Sequence, residues 1–428
     1  MSTWSVSALG IGSMVGAGIF ALLGQAALLV GQRTWLAFAL AGVVTVLSGY
    51  SYAKLGARYP SSGGITLFFE KGFGRGMASG TLSLIYLVTL AITIAMVAKT
   101  FGAYATRLFL PTGGHVWEGL FGSAIVILLV ALNSVGSGAV GKAEVALVSI
   151  KLVILVGLVV VGFYSMSRGM APHLSTHTHL GLTGLISSVG LCFFAYSGFG
   201  MMANAAADVA DPKKTIPRAI FLAIGVVTVL YVALSVTVLS LVPPAELARN
   251  ADTAVAQAAR PVLGSAGFAV VALGALLATS SAINATLFAA LNVSSAQAQS
   301  GQLPRAFSTS VMGKSTKGFL VGVAIILVMV NTMSLGAIAN VASATFLISY
   351  LAVHVACWRL ARPAGASRAV VGVGALLMGV VLVTFLVTSA RTQPISLVLT
   401  VVAVVGSWLV ERLVQSHHGP GLPHPRAR

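Results

Sequence analysis

Lys151 is the residue with the clearest chemistry to account for. It lies in the run 145–163, VALVSIKLVILVGLVVVGF, which holds no other charge. As a helix this run crosses most of a bilayer. A lysine inside it costs roughly 2.5–3.5 kcal/mol on insertion scales and marks a functional position by default. The other reading is snorkelling, because Lys151 is only about 9 Å in from Val145 at ~1.5 Å per residue. Backbone groups form a second chemical resource. Residues 10–18 read GIGSMVGAG, and residues 196–200 read YSGFG. Glycine is poor in helix interiors and permits a helix break. A break at mid-membrane exposes amides and carbonyls that can ligate an ion or a zwitterion, provided they line a watery cavity.

The elements that must position these groups are membrane helices. Charged residues make up 8% of the 428-residue chain and apolar residues 57%, where a soluble protein carries about 25% charge. Twelve apolar segments are expected as transmembrane helices, at about 4–31, 34–54, 76–110, 119–139, 142–167, 181–206, 214–242, 264–298, 318–332, 336–361, 365–389 and 392–414. No cleavable signal peptide is expected, since the first apolar stretch is too long and glycine-rich. Cys192 and Cys357 fall inside apolar segments and read as packing residues without a disulfide. The formal charge of +17 sits on short loops, which argues for membrane orientation and against nucleic acid. With the amino terminus in the cytoplasm, 17 Lys and Arg fall on the inner side and six on the outer, while Lys99 and Lys151 remain within segments. Both termini are therefore expected in the cytoplasm. The proline-rich tail, 415–428, reads as disordered.

The glycine-interrupted segments are the first and the sixth, five apart. Paired interrupted segments in two halves point to a transporter's binding site. The spacing suggests two five-helix units of inverted topology, 1–167 and 181–361, with helices over 365–414 appended. The competing reading is close helix packing through small residues, and Gly12 and Gly16 fit that pattern.

At these residues the chain resembles a known family. Gly12-Ser-Met-Val-Gly-Ala-Gly-Ile-Phe20 resembles the first-helix signature of the amino acid–polyamine–organocation (APC) transporter superfamily. Phe193-Phe-Ala-Tyr-Ser-Gly-Phe-Gly200 is similar to its sixth helix, and Asp211-Pro-Lys-Lys-Thr-Ile-Pro-Arg-Ala219 to the loop entering the seventh. Ser48-Gly-Tyr-Ser-Tyr-Ala-Lys-Leu-Gly56 and Tyr59-Pro-Ser-Ser-Gly-Gly64 resemble the end of helix two and the loop beyond. The likeness is greatest to the prokaryotic broad-specificity proton-coupled amino-acid transporters. It implies a LeuT-type 5+5 inverted repeat with discontinuous helices 1 and 6, and alternating access. Two departures stand out. Ala207 occupies a usual glutamate position, with Asp208 following, and the lead before helix one is short.

Given two breaks, the amides of Ala17, Gly18 and Ile19 would form a positive half-helix end suited to a carboxylate. Carbonyls near Met14, Val15 and Gly16, and near Phe194, Ala195 and Ser197, would suit an ammonium. The eight acidic residues all lie in loops or near segment ends, so a neutral amino acid fits better than a cationic one. Tyr196 and Phe199 flank the second break and either pack over the substrate or join the aromatic core. Asn284 and Ser343 either line the cavity or bond between helices. The resemblance implies that a helix-five lysine replaces a coupling sodium ion, and Lys151 matches it. Thr279, Ser280 and Ser281 supply hydroxyls at the corresponding place on helix eight. Desolvation favours the neutral amine, while carbonyl and hydroxyl acceptors favour the ammonium. No cofactor or metal is expected beyond the proton motive force. Lys99 is expected to snorkel to the outer surface. Glu144, two turns before Lys151, is a possible end of a watery proton path.

The expected function is secondary active amino-acid transport at the cell inner membrane, as proton-coupled symport by a monomer or loose homo-oligomer. The rivals are a proton-independent exchanger or uniporter, and an amino-acid sensor that does not transport. A membrane enzyme is disfavoured because the segments hold no histidine–carboxylate cluster or metal-ligand spacing. A channel is disfavoured for want of a carboxylate ring or filter-like loop.

Overall fold

With no water in the bilayer core, each span must satisfy its own backbone, and apolar runs of this length do so as helices. The computed structural model describes residues 2–61, 64–135, 140–169, 181–204, 206, 209–299, 303, 310–312 and 315–417. In chain order the helices are α1 (Thr3–Val30), α2 (Thr34–Arg58), α3 (Ile65–Phe73), α4 (Met77–Phe109), α5 (His115–Val135) and α6 (Val140–Ser167). Then follow α7 (Gly181–Tyr196), α8 (Met201–Asn204), α9 (Pro212–Leu241), α10 (Pro244–Arg249), α11 (Ala254–Gln257) and α12 (Arg260–Gln299). The last are α13 (Lys317–Thr332), α14 (Leu335–Arg359), α15 (Ala361–Ala364), α16 (Arg368–Thr392) and α17 (Pro394–His417). A small antiparallel strand pair, β1 (Ser310–Met312) with β2 (Ser315–Thr316), precedes α13 in an otherwise all-helical fold. It forms in the loop, where water is at hand for its open edges.

Ten stretches among the described residues are long and apolar enough to cross a membrane. The first, Gly18–Arg58, contains two helices, and Gly318–Thr332 adds a shorter apolar helix. The chain is a multi-pass membrane protein. Ala207, Asp208, the side chain of Glu144 and tail residues 418–428 lie outside the described residues.

The first segment corrects an expectation. α1 is one unbroken helix from Thr3 to Val30, capped by the Ser2 side chain accepting from the Ser5 amide. The amides of Ala17, Gly18 and Ile19 therefore lie inside a helix, not at a free half-helix end. The α1 glycines serve close packing instead. A Cβ on Gly18 would sit 2.5 Å from Ala195 Cα on α7, and one on Gly12 would sit 2.5 Å from Val148 Cγ2 on α6. Absence of a side chain lets these backbones meet, which offsets glycine's low helix propensity. The sixth segment does change course. α7 stops at Tyr196, a 3₁₀ turn runs from Ser197 to Gly200, and α8 resumes for one turn. α12 carries a kink at Gly264, whose φ of 65° only glycine adopts readily.

Buried polar groups tie the bundle together. His354 on α14 is held between two α2 hydroxyls, Ser48 Oγ at 3.1 Å and Ser51 Oγ at 3.0 Å. Lys99 supplies a second correction. It does not snorkel: it is 5% exposed and lies 3.7 Å from Glu118 Oε2 at the start of α5. α5 and the 3₁₀ turn Ala251–Thr253 both pack on α4. The ammonium thus meets a carboxylate before it could reach the headgroups. An unpaired buried charge would cost several kcal/mol. His115 Nδ1 is 3.0 Å from the same Glu118 oxygen. Asp252, in the 251–253 turn, accepts from Gln25 Nε2 of α1 at 2.6 Å.

Candidate functional site

A cavity of about 80 Å³ lies where α1, α4, α7 and α12 meet. One water needs ~10–15 Å³ on the same measure, so the space suits a small solute. α1 contributes Gly12, Ser13, Met14 and Gly18, and α7 with its 3₁₀ turn contributes Phe194, Ala195, Ser197 and Gly198. Tyr86, Leu90 and Thr93 line it from α4, and Ser281, Ala282 and Thr286 from α12. Phe346 of α14 completes an aromatic side, 4.9 Å from Phe194 and 6.5 Å from Tyr86 between ring centres. Among the described residues, no acidic or basic side chain lines the cavity. Thr93 and Thr286 donate to carbonyls of their own helices, at 2.7 and 2.8 Å, which turns their remaining oxygen lone pairs into acceptors.

Lys151 stands directly behind this wall. It is 1% exposed, and its Nζ donates to the Gly12 carbonyl at 2.5 Å. Gly12 lines the cavity, so the ammonium and a bound solute share one stretch of α1. The absence of a Gly12 side chain lets α6 come close enough for this bond.

The tyrosines were not foreseen. Tyr231 of α9 donates its hydroxyl to Met14 O at 2.6 Å and lies 3.3 Å from Ala195 O. Tyr350 donates to Ser197 O at 2.7 Å. The carbonyls expected to be free for a substrate ammonium are thus engaged by phenols, and Met14 O, inside the unbroken α1, also accepts within its own helix. Tyr231→Phe is expected to lower stability by ~0.5–1.5 kcal/mol, read as a lower thermal midpoint. An unchanged midpoint would discount this clamp between α1 and α7.

Other predicted residues fall around the cavity rather than on it. Met14, Gly18, Phe194, Ala195, Ser197 and Ser281 line it. Val15, Gly16 and Ile19 are buried on α1 outside the lining, and Ala17 lies in the same helix. Tyr196 turns away and donates to Phe38 O at 3.0 Å. Phe199 is packed between Tyr52 and Tyr350, with ring centres at 5.2 and 5.3 Å. Asn284 accepts from Asn133 Nδ2 at 2.6 Å and ties α12 to α5. Thr279 and Ser280 donate to carbonyls of their own helix. Ser343 is buried, its hydroxyl without a hydrogen-bond partner among the described residues. Ser13, Tyr86, Thr93 and Thr286 went unforeseen. The one available signal was spacing: Tyr86, Leu90 and Thr93 fall four and three apart, on one face of α4.

Comparison with known proteins places this architecture. The Amino acid permease family matches residues 1–408. The chain is 48% identical over 389 residues to the inner membrane transport protein YbaT of Escherichia coli (strain K12), covering 90% of this chain and 89% of that one. It is 27% identical to the methylthioribose transporter of Bacillus subtilis (strain 168), over 72% and 69% of the two chains. It is 26% identical to the human cationic amino acid transporter 4, over 72% of this chain and 51% of that one. The chain belongs to the amino acid permease family of the APC superfamily, and is a membrane transporter.

Proposed function

We propose that this protein carries small neutral amino acids across the cell inner membrane by alternating access, in symport with a proton. The observation that supports this most is the pairing of an uncharged cavity with a buried ammonium bonded to its wall, Lys151 Nζ to Gly12 O at 2.5 Å. A substrate with a cationic side chain would meet no carboxylate among the described lining residues and would bury its charge unpaired there. A zwitterion's ammonium meets the acceptor oxygens of Thr93 and Thr286, whose hydroxyls donate into their own helices. Of the relatives' named substrates, methylthioribose is uncharged and fits this lining better than a cationic amino acid does.

In this reading twelve helices cross the membrane: α1, α2, α4, α5, α6, α7 with α8, α9, α12, α13, α14, α16 and α17. The first ten form two five-helix units, over 1–167 and 181–361, and both termini face the cytoplasm. The direct packing of the first span on the sixth, Gly18 on Ala195, supports a site between two units. Lys151 is the coupling group, with Thr279, Ser280 and Ser281 of α12 as hydroxyl partners in other states of the cycle.

The test is a thermal-shift screen of the proteinogenic amino acids and polyamines against the purified protein at acid and neutral pH. Small neutral amino acids are expected to stabilise it, by ~2.7 kcal/mol at a hundredfold excess over Kd. Stabilisation by lysine, arginine or polyamines alone would sink the neutral-substrate reading.

A further inference from the structure

The coupling role given to Lys151 leaves a second group of charges unused. Lys99 of α4, Glu118 of α5 and Asp252 of the 251–253 turn converge beside Gln25, in the second half of α1. The Lys99 and Glu118 side chains are 6% and 9% exposed, and Asp252 is half-buried. Glu118 pairs with the Lys99 ammonium, and Asp252 lies within electrostatic reach of both. Fully ionised, the three groups hold a net negative charge away from water, and one added proton removes it. The 251–253 turn sits directly on α1: a Cβ on Gly24 would overlap the Ala251 carbonyl. The Gln25–Asp252 bond at 2.6 Å closes this contact. Undocking the turn from α1 must break that bond and let water reach the cluster.

We propose that this cluster is a proton-operated latch: it holds a proton while the 251–253 turn is docked on α1, and gives it up when the turn lifts. The inference rests on the alternating-access reading, in which this end faces outward and docking closes the outer side. The proton then comes from external water, joins the Asp252 carboxyl on closure, and returns to water on opening. It would be a second proton site, separate from Lys151. The groups facing Asp252 are Glu118 and His115 from α5, Lys99 and Tyr104 from α4, and Gln25 from α1. Desolvation first, and Glu118 second, hold the Asp252 carboxyl above the usual carboxylate range, against the opposing pull of Gln25, Lys99 and His115.

The sign follows from linkage. A carboxyl raised in the folded state contributes stability that is fully present below its unfolded value, and loses it as pH rises through the folded one. The thermal midpoint of the full-length protein in detergent, without substrate, is therefore expected to fall as pH rises above the ordinary carboxylate range. Asp252→Asn should lessen that fall and Asp252→Glu should retain it. Superimposable wild-type and Asp252→Asn profiles overturn the latch. Should Asp252→Asn fail to fold, Gln25→Leu removes a donor that favours the carboxylate, so the fall should move to higher pH; an unmoved profile also overturns it. Docking is read by spin labels at Leu28 and Arg249. Their separation should grow with pH in the wild type but not in Asp252→Asn, and a constant wild-type separation removes the link to docking. None of these readouts needs a transported substrate. A failure here is therefore separate from a failure of the transport reading, which the amino-acid screen tests.

Discussion

Lys151→Ala is expected to reduce uptake driven by a pH gradient in proteoliposomes by about a hundredfold, equivalent to ~2.7 kcal/mol. The substitution removes a buried ammonium and leaves the Gly12 carbonyl without the donor that now lies at 2.5 Å. It also leaves a void where a long side chain was fully enclosed. Both changes fall on the stretch of α1 that lines the cavity. Counterflow of labelled amino acid, measured with no gradient, separates two meanings of the loss. If counterflow survives, Lys151 moves the coupling proton. If it is lost as well, the ammonium is a fixed charge that holds α1 to α6. Gradient-driven uptake at the wild-type rate would remove Lys151 from the mechanism.

Gly18→Ala is expected to lower stability by ~1–3 kcal/mol and to impair transport with it. One methyl group has this reach because of what it meets. The new Cβ would lie 2.5 Å from Ala195 Cα and 2.7 Å from Ala195 O. Both are backbone atoms, so no rotamer change relieves the overlap and α1 must move away from α7. Gly18 and Ala195 also line the cavity, so the displacement reaches the substrate. Gly157 on α6 is the control, since a Cβ there has nothing within 4 Å. Gly157→Ala should leave transport intact and, through helix propensity, hold or slightly raise stability. Equal thermal midpoints for Gly18→Ala and the wild type would contradict the close approach.

These two residues also show how far a sequence can be read. Lys151 was legible because a lone charge in an apolar run has few uses; of the carbonyl and hydroxyl acceptors expected for it, the Gly12 carbonyl is the one the structure gives. The glycines of α1 were ambiguous. Absence of a side chain eases a helix break and also eases a backbone contact, and only the neighbour, Ala195 or Val148, decides between them. Lys99 was misread because its partner, Glu118, lies nineteen residues on, across a helix turn-around that periodicity does not describe. Tyr231 and Tyr350 were invisible for a similar reason. A tyrosine in an apolar helix reads alike whether its hydroxyl meets a carbonyl or a headgroup. The chain of helices was legible from composition and length; the contacts between helices were not.

The unbroken course of α1 has a mechanical consequence. Its 28 residues form a rod roughly 42 Å long at ~1.5 Å per residue. Lys151 and Tyr231 pin it at Gly12 and Met14, on the amino-terminal side of its midpoint. A rod held so is a lever with unequal arms, roughly 14 Å from Gly12 back to Thr3 and roughly 24 Å from Met14 on to Val30. While its hydrogen-bond ladder holds, any tilt about that fulcrum swings the two tips in opposite senses. The Val30 tip sweeps the wider arc. A small rotation at the cavity would therefore be geared up most at the end where Gln25 grips Asp252.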